Sequence, residues 1–412
     1  MYVTYITYVV LAVLLLWGGN FAFRRGQFHE DSTSLEVTKS LRGFAAIGVI
    51  LHHISQQSAF QWAGGGKGPG ELSICVNAGF FFVAIFFFCS GFGLIKSLQT
   101  KQDYLNGFIK KRVWKAILIP FYVNVVLYAI YNVCVGNKFP TIQWVTKFLG
   151  LTLMNEYAWY PIVLSVLYVA FYLIFKNVKN RKVAFFLMFV VIFLQGVFFA
   201  FNGHFAWWAG KKNWWLSSGP DVWWKQQGII WYFGEWWVNS CIAFLIGMIF
   251  GQYEEKIKNW FKKLYILKLV GCLVLFYGFY LLSKYAQGKY GYWSEWNGQG
   301  PGILNKFICF CAQLPEVSMF VISIFAVMLV YHAENPVSKF FGNLSYETYM
   351  MNYIPITVFT FLLYKNNAPF YKEGNYNLGI YEVCVIAATI LLGLLFKYST
   401  KLVMKICSRQ KR

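Results

Sequence analysis

Apolar runs about 20 residues long, each bounded by a short polar segment, recur along the whole chain. That is the length an α-helix needs to cross a hydrocarbon core about 30 Å thick. A window of this width predicts about eleven membrane helices. They fall near 3–22, 41–60, 77–97, 114–135, 158–175, 183–201, 228–251, 265–283, 307–332, 342–364 and 379–397, with a break in the ninth at Pro315. The predicted fold class is all-α, a polytopic integral membrane helix bundle. The connections are too short for a soluble domain, and no repeat, low-complexity tract or coiled-coil heptad appears.

Composition agrees with the pattern. Charged residues make up only 13% of the chain and hydrophobic ones 58%, whereas a soluble domain carries about a quarter charged residues. A net charge of +21 invites a nucleic-acid reading. The lysines and arginines, however, sit in short clusters between apolar runs, the pattern of cytoplasmic membrane loops. With the first helix running outside to inside, most of the 37 basic residues fall on inner segments. The expected topology is therefore N-out and C-in, with membrane lipids as partners and no nucleic acid.

The first apolar run lacks the preceding basic residues and small-residue cleavage site of a secretory signal. It reads as a retained helix followed by Arg24 and Arg25. The nine cysteines include no CxxC pair, so they suggest small buried residues and neither a disulfide frame nor a zinc site. No metal-ligand set is expected. The domain reading is a first helix with its cytoplasmic linker (1–37), a membrane domain (38–397) and a basic cytoplasmic tail (398–412).

The second predicted helix holds the chain's most informative residues. Arg42 and His53 stand eleven positions apart, about three turns, which places both on one face roughly 16 Å apart along the axis. Titratable groups at membrane depth are costly and usually face a cavity or the bundle interior. Each alone has a bland reading, Arg42 as a snorkelling anchor and His53 as a packing residue; the pair on one face favours function.

The surrounding residues resemble the family-3 membrane acyltransferases. Leu41-Arg42-Gly43-Phe44-Ala45-Ala46, followed by His53, is similar to that family's L-R-G-x-A-A signature ending in histidine, and selects His53 over His52. Phe86-Phe87-Phe88-Cys89-Ser90-Gly91-Phe92 looks like the family's F-F-x-x-S-G-F segment. Lys110, Lys111, Arg112 and Lys115, then Pro120, resemble its basic turn, with Lys115 replacing the usual second arginine. Gly342-Asn343-Leu344-Ser345-Tyr346-Glu347-Thr348-Tyr349 is similar to G-x-x-S-Y-x-x-Y. Asn352 stands where the family often has a histidine. An amide there can hydrogen-bond but cannot exchange a proton near neutral pH. The family core has ten helices, which makes the first helix an addition.

The resemblance implies an O-acyltransferase, with acetyl-CoA the expected acyl donor and a hydroxyl of an envelope glycan or related acceptor receiving the group. A multi-pass protein of the bacterial plasma membrane is the implied setting. Transfer from a thioester to a hydroxyl needs a base and a stabilised oxyanion. His53, with an ordinary pKa near 6.5, suits the base, and Arg42 sits at the cytoplasmic end of its helix. Lys111, Arg112 and Lys115 would grip the donor's phosphates, though positive-inside topology alone also explains them. Ser90 and Gly91 allow close approach of the donor or simply of a neighbouring helix. Ser345, Tyr346, Tyr349, Asn352, Glu347 and Glu316 are supporting polar groups whose partners the sequence does not assign.

A dense run of tryptophans between 203 and 237, including Trp214, Trp215, Trp223 and Trp224, lies in an expected outer loop. An interfacial aromatic belt is one reading. The other is an acceptor platform that stacks sugar rings and uses Glu235 to bond hydroxyls, joined by the segment 156–160. A glycan or lipid transporter or flippase would also explain the helices and aromatic rim, but not the Arg42–His53 spacing together with the serine-glycine segment.

Overall fold

A computed structural model describes residues 2–22, 27–60, 72–76, 78–139, 141–150, 153–155, 157–202, 240–290, 303–364, 369 and 377–409. The elements in chain order are α1 (Tyr2–Leu16), β1 (Gly19–Phe21), α2 (Leu35–Phe60), α3 (Ser73–Val76), α4 (Gly79–Thr100) and a π-helix (Ile109–Leu118). Next come α5 (Ile119–Cys134), α6 (Thr141–Phe148), α7 (Trp159–Asn177), α8 (Arg181–Asn202), α9 (Ile242–Gln252), α10 (Glu254–Lys262) and α11 (Tyr265–Tyr290). The chain ends with α12 (Ile303–Met328), β2 (Tyr331–Ala333), α13 (Pro336–Asn343), α14 (Ser345–Met351), α15 (Tyr353–Tyr364) and α16 (Leu378–Arg409). This is an all-α polytopic membrane helix bundle. Among the described residues, six helices are long and apolar enough to cross a membrane, the π-helix and α5 acting as one, and α1, α9 and α15 are shorter apolar helices. Although 26 residues long, α2 is not among the six, because Arg42, His52, His53 and Gln56 interrupt its apolar surface.

The chain divides into two units. The first comprises residues 1–86, 155–157 and 328–412; the second comprises 87–154 and 158–327. In the first, α2 is clamped to α13 by two glycines. A Cβ on Gly43 would lie 1.9 Å from the Ser338 carbonyl oxygen, and one on Gly342 would lie 2.2 Å from the Lys39 carbonyl oxygen. Only hydrogen at both positions lets the two backbones approach this closely. Ser40 donates its hydroxyl to the Ala333 carbonyl at 2.7 Å. Asn335 caps α13, accepting the Ser338 amide at 2.8 Å while its own amide reaches the Ser338 hydroxyl. The core above this clamp gathers Ile47, Ile50, Leu51, Ile54, Phe341, Ile356, Tyr381 and Val385.

The N-terminal helix is tied into the first unit. The Thr7 hydroxyl bonds the Glu382 carboxylate at 2.8 Å, and the Asn335 amide donates to the Leu14 carbonyl at 2.8 Å. β1 pairs antiparallel with β2, Asn20 opposite His332. In the second unit, Glu254 receives Lys96 and the nearly buried Lys258, each at 2.7 Å.

Three details depart from the sequence reading. Helix α12 runs through Pro315 unbroken, since neighbouring groups in a membrane bundle re-satisfy the carbonyl that proline leaves free. The span expected at 342–364 is divided among α13, α14 and α15, with interruptions at Leu344 and Asn352. The basic turn lies in the π-helix, where the Ile119 amide bonds the Trp114 carbonyl five residues back. Pro120, which has no amide proton, follows at once.

Candidate active site

His53 is buried in the C-terminal half of α2. Its Nδ1 lies 3.2 Å from the Asn352 side-chain oxygen. An amide oxygen only accepts, so Nδ1 carries the proton and Nε2 keeps its lone pair. Nε2 takes no hydrogen bond among the described residues. The imidazole stacks on Tyr157, ring centroids 3.7 Å apart and planes 14° from parallel. One face and one nitrogen are therefore fixed, and the opposite nitrogen is left for chemistry.

The supporting groups are interlocked. Tyr353 meets Tyr157 edge-on at 4.9 Å. The Tyr349 hydroxyl donates to the Tyr157 carbonyl. Asn155 donates to the Met350 carbonyl at 2.9 Å and accepts the Tyr157 amide at 3.1 Å. Asn352 is fully buried, sits at the junction of α14 and α15, and its Nδ2 has no acceptor among the described residues. A buried donor without a partner costs about 1–3 kcal/mol, so this amide is available to a ligand.

His52 is committed elsewhere. Its Nδ1 donates to the Cys75 carbonyl at 2.9 Å, and its Nε2 accepts from the Gln56 amide at 3.3 Å. Gln56 in turn accepts the Tyr157 hydroxyl at 3.4 Å. Both nitrogens are used, unlike those of His53.

Arg42 is half-buried on the same helix, one face and about 16 Å from His53. Its Nε donates to the Thr38 carbonyl at 3.4 Å, and it forms no ion pair among the described residues. Ser345 closes a turn on the Gly342 carbonyl at 3.3 Å. Glu347 finds its partner in Lys397 at 4.0 Å. Tyr346 packs against Phe396, its hydroxyl buried without a partner among the described residues.

The remaining candidates belong to the second unit. The Ser90 hydroxyl bonds Tyr168 at 2.7 Å. Gly91 abuts the Phe244 carbonyl, which a Cβ would approach to 2.0 Å, and Gly247 abuts the Phe88 carbonyl in the same way. Gly91 thus serves helix contact. Arg112 lies over the Tyr104 ring at 5.7 Å, while Lys110, Lys111 and Lys115 are exposed on the π-helix. Glu316 is buried, and its Oε2 has no hydrogen-bond partner among the described residues. Trp214, Trp215, Trp223, Trp224 and Glu235 lie outside the described residues.

Sequence reasoning missed the part played by Tyr157, assigned above to an outer rim, and by Gln56 and Asn155. Gln56 had a legible signal, since it lies three and four positions beyond the two histidines. Tyr157 had none.

No curated protein and no solved structure matches the chain. The family model described as an acyltransferase domain, that of family 3, matches residues 39–398 and so takes in His53, the π-helix and Asn352. With these residues on a multi-pass helical scaffold, the chain belongs to the family-3 membrane acyltransferases.

Proposed function

We propose that this protein is an O-acyltransferase that moves an acetyl group from acetyl-CoA to a hydroxyl of an envelope glycan or related acceptor in the bacterial plasma membrane, with His53 as general base. One observation carries the reading: a buried imidazole whose Nδ1–H is held by Asn352, whose face is held by Tyr157, and whose Nε2 is left free. A base oriented by a third group is the arrangement that activates hydroxyl nucleophiles, and asparagine fills the orienting role in some cysteine proteases.

The proposed step uses this arrangement. Nε2 accepts the acceptor's hydroxyl proton while that oxygen attacks the thioester carbon. The carbonyl oxygen gains negative charge, for which the unpartnered Asn352 Nδ2 is a buried donor beside the base. Collapse breaks the carbon–sulfur bond, and the proton passes from Nε2 to the departing thiolate. Asn352 needs no proton of its own. It holds Nδ1–H throughout, which accounts for an amide at this position.

Arg42 in the first unit, and separately Lys111, Arg112 and Lys115 in the second, are each assigned to donor binding, since each carries charge of the kind a coenzyme A phosphate requires. Ser90, which bonds Tyr168, is likewise assigned to donor binding. The aromatic segment around Trp214 is assigned to the acceptor, with alanine variants there expected to raise the acceptor concentration needed while sparing donor binding. The experiment for the whole reading is acyl transfer by purified protein from radiolabelled acetyl-CoA to envelope glycan, with product hydrolysis identifying the ester. Thioester consumption with ester formation supports it. Glycan movement across vesicles without ester formation supports a transporter instead.

A further inference from the structure

A second cluster of titratable side chains lies where the N-terminal segment crosses the entry to α2. His29 Nδ1 and His332 Nε2 each stand 3.9 Å from the same Asp31 carboxylate oxygen, and the three ligand atoms lie within 4.8 Å of one another. The two imidazoles face each other at 4.2 Å between centroids. Asp31 lies four residues before the start of α2, and the helix rises about 27 Å from Leu35 to His53 at 1.5 Å per residue. Nothing in the acyl-transfer chemistry uses the cluster.

The backbone presets it. Asn20 pairs with His332 across the β1–β2 ladder. The His29 amide bonds the Leu329 carbonyl at 2.8 Å, which brings the linker alongside β2. The outward nitrogen of each ring then has an oxygen behind it, hydrogen-bonded for His29 and beyond hydrogen-bond distance for His332. His29 Nε2 lies 3.1 Å from the Asn20 carbonyl, which only accepts, so its proton sits there and the Nδ1 lone pair points to Asp31. His332 Nδ1 faces the Glu334 carboxylate at 3.6 Å, and the other Glu334 oxygen is held by Lys339 at 2.7 Å. Metal-binding histidines almost always have the far nitrogen held by a carbonyl or carboxylate in this way.

An independent observation points to a ligand. The His332 side chain is only 9% exposed, yet neither ring nitrogen has a hydrogen-bond partner among the described residues. We infer that His29, Asp31 and His332 bind a divalent transition metal ion of the zinc type, which staples the N-terminal segment to β2. Tetrahedral zinc with bonds near 2.0–2.1 Å places its ligand atoms about 3.3 Å apart, so each 3.9 Å pair closes by about 0.6 Å on binding, and the two histidine nitrogens, within 4.8 Å of each other, close by up to about 1.5 Å through side-chain rotation. Three protein ligands leave one position for water.

The test uses the full-length protein, purified in nanodiscs, stripped with chelator and titrated with zinc by calorimetry, then with cobalt by visible absorption. The expected result is one site lost in both His332→Ala and Asp31→Asn, with a cobalt spectrum free of thiolate charge transfer. Asp31 is 64% exposed at its side chain, so its variant tests the site without disturbing a core. Metal should also raise the thermal midpoint of wild type and leave that of Asp31→Asn unchanged. Equal metal stoichiometry in wild type and Asp31→Asn, or a thiolate signature, overturns the assignment.

Discussion

The side-chain oxygen of Asn352 accepts the Nδ1 proton of His53 at 3.2 Å, joining residues 299 positions apart in the chain. That one bond fixes the imidazole tautomer and, in the proposed mechanism, leaves Nε2 to act as the base. Asn352→Ala should slow transfer on the order of 10²-fold, the lower end of what losing a general base costs. Asn352→Asp should restore most of the rate, because a carboxylate still accepts from Nδ1. Steady-state rates of the two variants check this; equal damage from both would make the position one of packing.

The glycine clamp between α2 and α13 gives a stability prediction. Gly43→Ala and Gly342→Ala each place a methyl against backbone, and overpacking of this kind costs about 1–3 kcal/mol or more. Both should lower the midpoint of thermal unfolding in detergent. Gly93→Ala, where a Cβ meets open space, should leave it unchanged. A Gly43→Ala protein as stable as wild type would contradict the clamp.

The π-helix yields a test of donor recognition. Arg112→Ala should weaken acetyl-CoA binding more than it lowers abundance. Lys115→Arg should be tolerated, since Lys115 is exposed and the change keeps its charge. Isothermal titration of both variants measures this. Unchanged donor affinity in Arg112→Ala would assign the basic cluster to topology alone.

Orientation is tested by labelling. Lys179 is exposed in the basic connection between α7 and α8. A single cysteine at 179 should react with an impermeant maleimide only after the cells are opened, and one at 214 should react in intact cells. Labelling of 179 from outside would invert the expected topology.

How much of this was legible in the sequence follows from the length scale of each signal. Helix α2 and the position of His53 within it were readable, because apolar periodicity and the Arg42–His53 spacing are local. The pairing of His53 with Asn352 was not, because it joins distant segments and needs tertiary contact. Hydropathy averaged over about 20 residues smooths away the single-residue interruptions at Leu344 and Asn352. Pro315 was read as a break because proline lacks an amide proton, although α12 runs through it. Three-residue strands such as β1 and β2 carry too few positions for alternation to register. The set of His29, Asp31 and His332 is likewise hidden, its third member arriving only through that strand pairing. Gly91 shows the opposite case: its small size was legible, and the Phe244 carbonyl identifies what approaches it.

In the proposed mechanism His53 Nε2 takes the acceptor's proton. The most direct test is the initial rate of coenzyme A thiol release from acetyl-CoA by purified protein in nanodiscs supplied with envelope glycan, compared among wild type, His52→Ala and His53→Ala. His53→Ala should fold, bind donor normally and lose about 10²–10⁴-fold in rate, with His52→Ala much less affected. Near-native transfer by a well-folded His53→Ala protein would contradict the account.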